Sequence, residues 1–104
     1  MIISTTENVA GHVIVENLGT VIGNTIRARH LGKDIMAGFR TIIGGEIKEY
    51  TGMLAESREQ AIIRMEEKAQ KLGANAVVGV RFQTSMILSG TAELLVYGTA
   101  VKLD

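Results

Sequence analysis

Residues Ala69–Phe82 read AQKLGANAVVGVRF and mark the point where a long helix ends and a buried strand begins. Before Gly73, apolar residues recur three, four or seven positions apart, which places them on one face of a helix. These residues are Leu54, Ala61, Met65, Ala69 and Leu72. Lys68 and Lys71 suit the last turn, where positive charge complements free carbonyl groups, and glycine commonly supplies the left-handed stop. Residues 76–82 are then rich in β-branched and aromatic side chains and predict a strand.

Composition restricts the class of protein. At 104 residues the chain is expected to form one domain, residues 1–104, and the 11 acidic and 11 basic residues balance. This balance gives no indication of binding to nucleic acid or to an anionic membrane. We find no secretory signal pattern and no apolar run near the ~20 residues of a membrane span, so a cytoplasmic location is expected. The absence of cysteine excludes disulfides, thiolate metal ligands and cysteine nucleophiles.

The expected hydrophobic core is small and aliphatic. Aromatic residues make up 4% of the chain and proline is absent, whereas there are 12 glycines. A short chain with such a core has a modest source of stability, and association with further copies is one ordinary remedy.

The segments before the long helix predict shorter elements. An edge strand is expected around Ile2 and Ile3. The run of β-formers over 11–27 indicates either one long strand bent near Gly19 or a loose hairpin. A short helix is predicted over Lys33–Ile43, and Gly44 and Gly45 would end it.

The long helix itself is predicted to begin near Glu46 and to continue to Leu72. Ser57-Arg-Glu-Gln60 also fits a capping box, so a new helix starting at Ser57 is the alternative. We favour the continuous helix because apolar residues before Ser57 lie on the same face. A turn is predicted over 84–90, followed by a last strand over 91–103.

The last strand, TAELLVYGTAVKL, predicts how the protein associates. Alternation places apolar side chains on both faces: Leu94, Val96 and Ala100 on one, Leu95, Tyr97, Val101 and Leu103 on the other. A sheet with one solvated face would show polar residues at every second position. Because one helix layer covers only one face of a small sheet, we expect another subunit to cover the other face.

Several motifs in register resemble the YbjQ-like family of small bacterial and archaeal proteins. They are LGTVIG at 18–23, GGEIKEYT at 44–51, the segment 58–65 with Arg58, Ala61, Arg64 and Met65, GANAVV at 73–78 and YGTAV at 97–101. The resemblance covers nearly the whole chain. It implies an α+β, two-layer β-α-β-β protomer of the dodecin-like kind, with an antiparallel sheet packed on one long helix plus a short helix. It also implies a ring-shaped homopentamer. The family carries a heavy-metal-binding label and has no established reaction.

Metal is the one cofactor that this label suggests, and the residues support it weakly. Soft heavy metals prefer thiolates, which this chain lacks. The candidates that remain are His12 and His30, and His30 with Asp34 four positions later forms a weak pair. The ordinary interpretation is two histidines without metal. The scattered methionines fit gap-filling in a core poor in aromatic residues.

A polar group suggests a second kind of site, a pocket for a small anionic ligand at a boundary between subunits. The candidate ligand-binding residues are Glu46, Glu49, Tyr50, Arg58 and Arg81, with Arg64 and Asn75 in the same polar group. Arg81 lies in an apolar strand, and Glu93 on the neighbouring strand is its expected partner. For Asn75, a bond to the backbone of its own turn is the expected role. The alternative to a pocket, which we favour, is a set of ion pairs and helix-end contacts that fix the arrangement of subunits.

No motif of the sequence defines an enzyme or a flavin or nucleotide site. The dinucleotide and P-loop glycine patterns are absent, and no G-x-S-x-G surrounds a serine. We therefore favour a non-enzymatic, homo-oligomeric binding or scaffold protein. The alternative is an enzyme that acts on a small anionic molecule at a subunit interface through Glu46, Tyr50 and Arg81.

Overall fold

The computed structural model describes residues 1–28, 42–43, 46–88 and 91–104. The elements, in chain order, are β1 (Ile2–Ile3), β2 (Ile14–Ala28), β3 (Ile42–Ile43), β4 (Glu46–Ile47), α1 (Lys48–Lys71), β5 (Ala76–Leu88) and β6 (Thr91–Leu103). The predicted short helix over Lys33–Ile43 lies largely outside the described residues. Its last two residues form β3, which pairs antiparallel with β4, so the prediction is wrong at this end.

Four strands form one mixed sheet in the order β1-β5-β6-β2. The three long strands are antiparallel, whereas β1 runs parallel to β5. The edge strand predicted at Ile2 and Ile3 is therefore confirmed, and the prediction of a wholly antiparallel sheet is wrong. The reason is that the N-terminal segment runs alongside the start of β5, where the Ser4 amide donates to the Val77 carbonyl (2.9 Å).

Helix α1 is one uninterrupted element of 24 residues. Ser57 is buried (1% exposed), and its hydroxyl donates to the Met53 carbonyl one turn earlier (2.9 Å). The hydroxyl thus bonds back within a continuing helix, so the prediction of a continuous helix is confirmed. The helix begins at Lys48 and not at Glu46, because Glu46 and Ile47 pair with β3. Among the described residues, no helix combines the length and apolar character needed to cross a bilayer.

Gly73 ends the helix as predicted, with a φ of +87°. Its amide donates to the Gln70 carbonyl (2.9 Å), and the Ala74 amide donates to the Ala69 carbonyl (3.1 Å). This pair of bonds is the Schellman arrangement. Asn75 then joins the turn to the end of β6: its side chain donates to the Leu103 carbonyl (3.0 Å) and accepts from the Leu103 amide (2.7 Å). The turn is thereby fixed against the sheet.

The helix packs on β2 and β6, where Gly23 allows a very close approach. A Cβ atom at Gly23 would lie 2.0 Å from the Ala61 carbonyl oxygen and 2.6 Å from the Met65 amide nitrogen. The core between helix and sheet is entirely aliphatic apart from one methionine. Its buried members are Val21, Ala61, Met65, Ala69, Val77, Val80, Leu94, Val96 and Ala100.

The opposite face of the sheet carries a second, smaller apolar cluster made of Ala76, Val78, Val101 and Leu103. The prediction that β6 is apolar on both faces is therefore confirmed. Val9 and Ile14 pack against this cluster, so the chain's own N-terminal segment covers one end of the second face. That end of the second face is therefore covered without a second subunit.

The two remaining strand predictions have opposite outcomes. Residues 14–28 form one strand with a register shift at Asn17–Gly19, where Gly19 has a φ of +106°, so the bent strand is confirmed over the hairpin. The turn predicted from Thr84 is wrong, because β5 stays paired with β6 as far as Leu88, with a register shift between Met86 and Leu88. Residues 81–87 are all exposed, so the polar side chains among them are solvated and do not interrupt the strand.

Candidate functional site

Exposed apolar side chains lie on both faces of the four-stranded sheet, in β2 and in the second half of β5, and together they are called the uncovered apolar surface. We define it by Ile22, Ile26, Phe82, Met86 and Ile87, whose exposed fractions are 42%, 56%, 46%, 72% and 49%. Ile22 and Ile26 lie on the second face, because Val21 packs under the helix and side chains alternate along β2. Phe82 pairs with Val96 and Met86 with Ala92, so both lie on the helix side of the sheet, where the helix leaves them exposed.

Arg81 has a different set of partners from the one predicted. Its Nη1 donates to the Thr5 carbonyl (2.9 Å) and to the Val80 carbonyl (2.8 Å). Arg81 lies opposite Tyr97, whereas Glu93 lies opposite Ser85 and accepts from Asn24 Nδ2 (3.1 Å). The predicted Arg81–Glu93 pair is therefore wrong. The cause is the pairing register, which includes an irregularity between Val78 and Arg81.

Two of the predicted ligand-binding residues, Arg58 and Arg81, lie on opposite sides of the sheet within one copy. Arg58 is exposed on α1, which covers the helix side of the sheet. Arg81 lies on the second face, because its partner Tyr97 alternates with the helix-facing Val96. The backbone places Glu46 in β4 and both Glu49 and Tyr50 in the first turn of α1.

A polar network that the sequence did not indicate joins β2 to the helix. Arg27 Nε donates to Ser57 Oγ (2.8 Å), and Arg27 Nη2 donates to Gln60 Oε1 (2.8 Å). The buried Thr25 hydroxyl adds a longer bond to the Ser57 carbonyl (3.4 Å). Ser57 and Gln60 are adjacent on the helix surface, and this spacing is the only signal that could have indicated a shared partner.

A basic groove runs along the edge of β2 that faces away from β6. Arg64 Nη1 donates to the Asn24 carbonyl at this side (2.7 Å). Beyond it, Lys68 and Lys71 border a cavity of about 350 Å³ together with Thr20, Val21, Ile22 and Leu72. Among the residues that the structure describes, the one ion pair within 4.0 Å is His12–Asp104, so these cations contact no carboxylate in that part of the chain. The groove therefore presents positive charge beside an apolar wall.

The metal candidates do not form a centre in the described part of the chain. His12 Nδ1 lies 4.0 Å from Asp104 Oδ1 and 3.4 Å from the Asp104 carbonyl oxygen. The same carboxylate oxygen accepts from the Val13 amide (2.9 Å), so this contact closes the end of β6. His30 lies outside the described residues. Over 1–28, 42–43, 46–88 and 91–104, no group of three metal-ligating side chains is present.

Over the residues that the structure describes, the fold and these surfaces define a small α+β domain in which helix α1 covers a four-stranded mixed sheet. The model of the YbjQ family, described as "Putative heavy-metal-binding", matches residues 1–104, and the chain belongs to this family.

Relatives agree with this membership, and a solved structure shares the fold. A UPF0145 protein of Dehalococcoides mccartyi is 59% identical over the full length of both chains. A UPF0145 protein of Methanosarcina acetivorans is 59% identical over 99% of this chain and 97% of its own. A crystal structure from Pediococcus pentosaceus, a DUF74 family protein of unknown function, has a TM-score of 0.67 at 19% identity. It covers 100% of this chain and 98% of its own, and this likeness concerns the fold alone.

Proposed function

We propose that the protein is a cytoplasmic, non-enzymatic binding or scaffold protein that assembles into a ring-shaped homopentamer with a dodecin-like subunit. The observation that carries this proposal is the uncovered apolar surface. Large apolar side chains there are 42–72% exposed, on a chain whose two buried apolar clusters are small. Large apolar side chains exposed on both faces of a sheet indicate an interaction surface.

The position of this surface favours a ring over a two-fold dimer. It includes the middle of one sheet face and the outer half of β5 on the other side. A two-fold contact uses one patch on both subunits, whereas two surfaces on opposite faces of a subunit suit a head-to-tail contact. Head-to-tail contacts close into a ring when the rotation between subunits allows it.

Native mass spectrometry of untagged protein, together with light scattering after size exclusion, tests the assembly. We expect a discrete species of five subunits at micromolar concentration. A stable monomer at that concentration would contradict the proposal, and a different ring size would contradict the pentamer alone.

A small anionic ligand at a subunit boundary is the binding activity that we propose for the ring. Arg58 and Arg81 lie on opposite sides of the sheet in one copy, so a site that uses both needs two copies. The basic groove of Arg64, Lys68 and Lys71 adds cations at an edge that a neighbour can approach. The alternative, an enzyme acting on a small anionic molecule, uses the same boundary with Glu46 and Tyr50.

Substituting Arg81 by Ala separates these interpretations. If Arg81 only fixes the N-terminal segment at Thr5, the variant loses stability or assembly, and no ligand is found on the wild type that the variant lacks. If Arg81 binds a ligand, the assembled variant loses an anion that native mass spectrometry detects in the wild type. The matched control is Lys102→Ala, which removes an exposed cation that the proposed site does not use.

Metal binding remains a separate proposal for the assembled protein. A ring could bring His12 or His30 of several copies together, although one copy has no such cluster among its described residues. Elemental analysis of untagged protein tests it, along with thermal unfolding in the presence of Zn²⁺. Stoichiometric metal and a higher melting temperature are expected from a true site, because a ligand that binds only the folded state stabilises it.

A further inference from the structure

Strands β5 and β2 lie on either side of β6, and each has a register shift next to the same residue of β6. On β5, the register shifts between Val78 and Arg81 around Gly79, whose φ is +62°. On β2, the register shifts between Asn17 and Gly19. Thr99 of β6 pairs with Val78 on one side and with Thr20 on the other, so it lies between the two shifts. Bulges are over-represented beside functional sites, where they redirect side chains.

A cavity of about 330 Å³ opens at this point on the second face of the sheet. It is lined by Glu7, Ile14, Asn17, Val78, Gly79, Thr99 and Val101. Val78 and Val101 are 5% and 1% exposed and belong to the second apolar cluster, so they form a fixed floor. Both the volume and the combination of an apolar floor with a few polar groups are typical of a small-molecule site.

Hydrogen bonds hold the polar rim in place. The Gly79 amide donates to the Thr6 carbonyl (2.9 Å), which fixes the backbone next to Glu7 against the bulge. Asn17 Oδ1 accepts from the Gly19 amide (3.0 Å), so the side-chain amide nitrogen of Asn17 retains its donors. Thr99 contributes a hydroxyl group, which can donate or accept. The rim therefore combines one carboxylate, one amide donor and one hydroxyl.

We infer that this cavity binds a small aliphatic amine, with the ammonium group at Glu7 and the alkyl chain on Val78 and Val101. The lining contains one carboxylate and no cationic side chain. Arg81 reaches the same N-terminal segment at Thr5 but is not a lining residue. The cavity thus differs in charge from the basic groove beside α1. It lies within a single copy, so it goes beyond the proposed assembly and does not depend on it.

Amide chemical shifts of isotope-labelled protein test the inference, with n-butylammonium chloride as the probe and sodium butyrate at equal ionic strength as the control. We expect saturable shifts at Gly79, Thr99 and neighbouring residues with n-butylammonium, and none with butyrate. Glu7→Gln should weaken binding about tenfold, the loss of one charge-assisted hydrogen bond. The matched control is Glu16→Gln, which removes a nearby exposed carboxylate on β2 that does not line the cavity.

Three results would overturn the inference. The first is an equal response to butyrate, and the second is unchanged binding in Glu7→Gln. The third is the absence of saturable shifts in the wild type. Glu7 is exposed and makes no ion pair among the described residues, so its replacement leaves the fold intact and each result can be interpreted.

Discussion

Gly23 is the residue on which the packing of helix against sheet depends most directly. The atoms that a Cβ would meet there, the Ala61 carbonyl oxygen and the Met65 amide nitrogen, belong to the helix backbone and cannot rotate away. By contrast, Gly52 lies within α1, and a Cβ added there would meet no atom within 4 Å. The two glycines therefore have opposite roles. Gly23 allows the helix to pack closely on β2, whereas Gly52 only lowers the stability of the helix.

Substituting each glycine by alanine should consequently change stability in opposite directions. We expect Gly23→Ala to lower the free energy of unfolding by about 3 kcal/mol or more, because the helix backbone must move away from β2. We expect Gly52→Ala to raise it by roughly 0.5–1 kcal/mol, through higher helix propensity at an open position. Urea unfolding at constant m-value measures both. Equal effects of the two substitutions would contradict the close approach.

At the scale of elements, the sequence predicted what depends on local periodicity. The helix, its stop at Gly73 and the following strand all came from the pattern of residues near each position. The Arg81–Glu93 pair and the end of β5 did not follow from any local pattern, because both depend on the register between distant strands. The structure also contradicts the role expected for Asn75: its side chain bonds the backbone of Leu103 in β6, 28 positions away, and not that of its own turn.

The candidate site shows the same division. Sequence could nominate Arg58 and Arg81, but it could not show that they lie on opposite sides of the sheet, since this depends on strand alternation after a bulge. The cavity at Glu7 was not predicted, because its lining comes from four separate segments of the chain.

The link between β2 and α1 through Arg27 gives a prediction at this scale. Replacing Arg27 by Lys keeps the charge but cannot reproduce the two bonds to Ser57 and Gln60, which need the planar guanidinium. We expect the free energy of unfolding to fall by about 1–2 kcal/mol. The control Arg58→Lys alters an exposed side chain and should change it by less than about 0.5 kcal/mol. Equal values for the two variants would show that the network adds no stability.

At the scale of the whole molecule, the uncovered apolar surface gives a prediction about assembly. Introducing charge by Ile26→Lys or Met86→Lys should reduce the mass measured by light scattering, because a buried lysine without a partner opposes association. The protomer should retain its secondary structure, since both side chains are more than half exposed. Gln70→Lys, on the exposed side of α1, is the control and should leave the mass unchanged. An unchanged mass in all three variants would place the interface elsewhere.

The close contact at Gly23 also restricts motion. A helix that rests on a side chain can slide by repacking that side chain, but α1 rests on bare backbone at one point of β2. Any displacement along the strand would bring a residue with a Cβ atom into that space. The helix and the strand should therefore move together, and the amides of residues 61–65 should exchange with solvent only when the whole domain unfolds. Native-state hydrogen exchange should show their opening free energies equal to the global value.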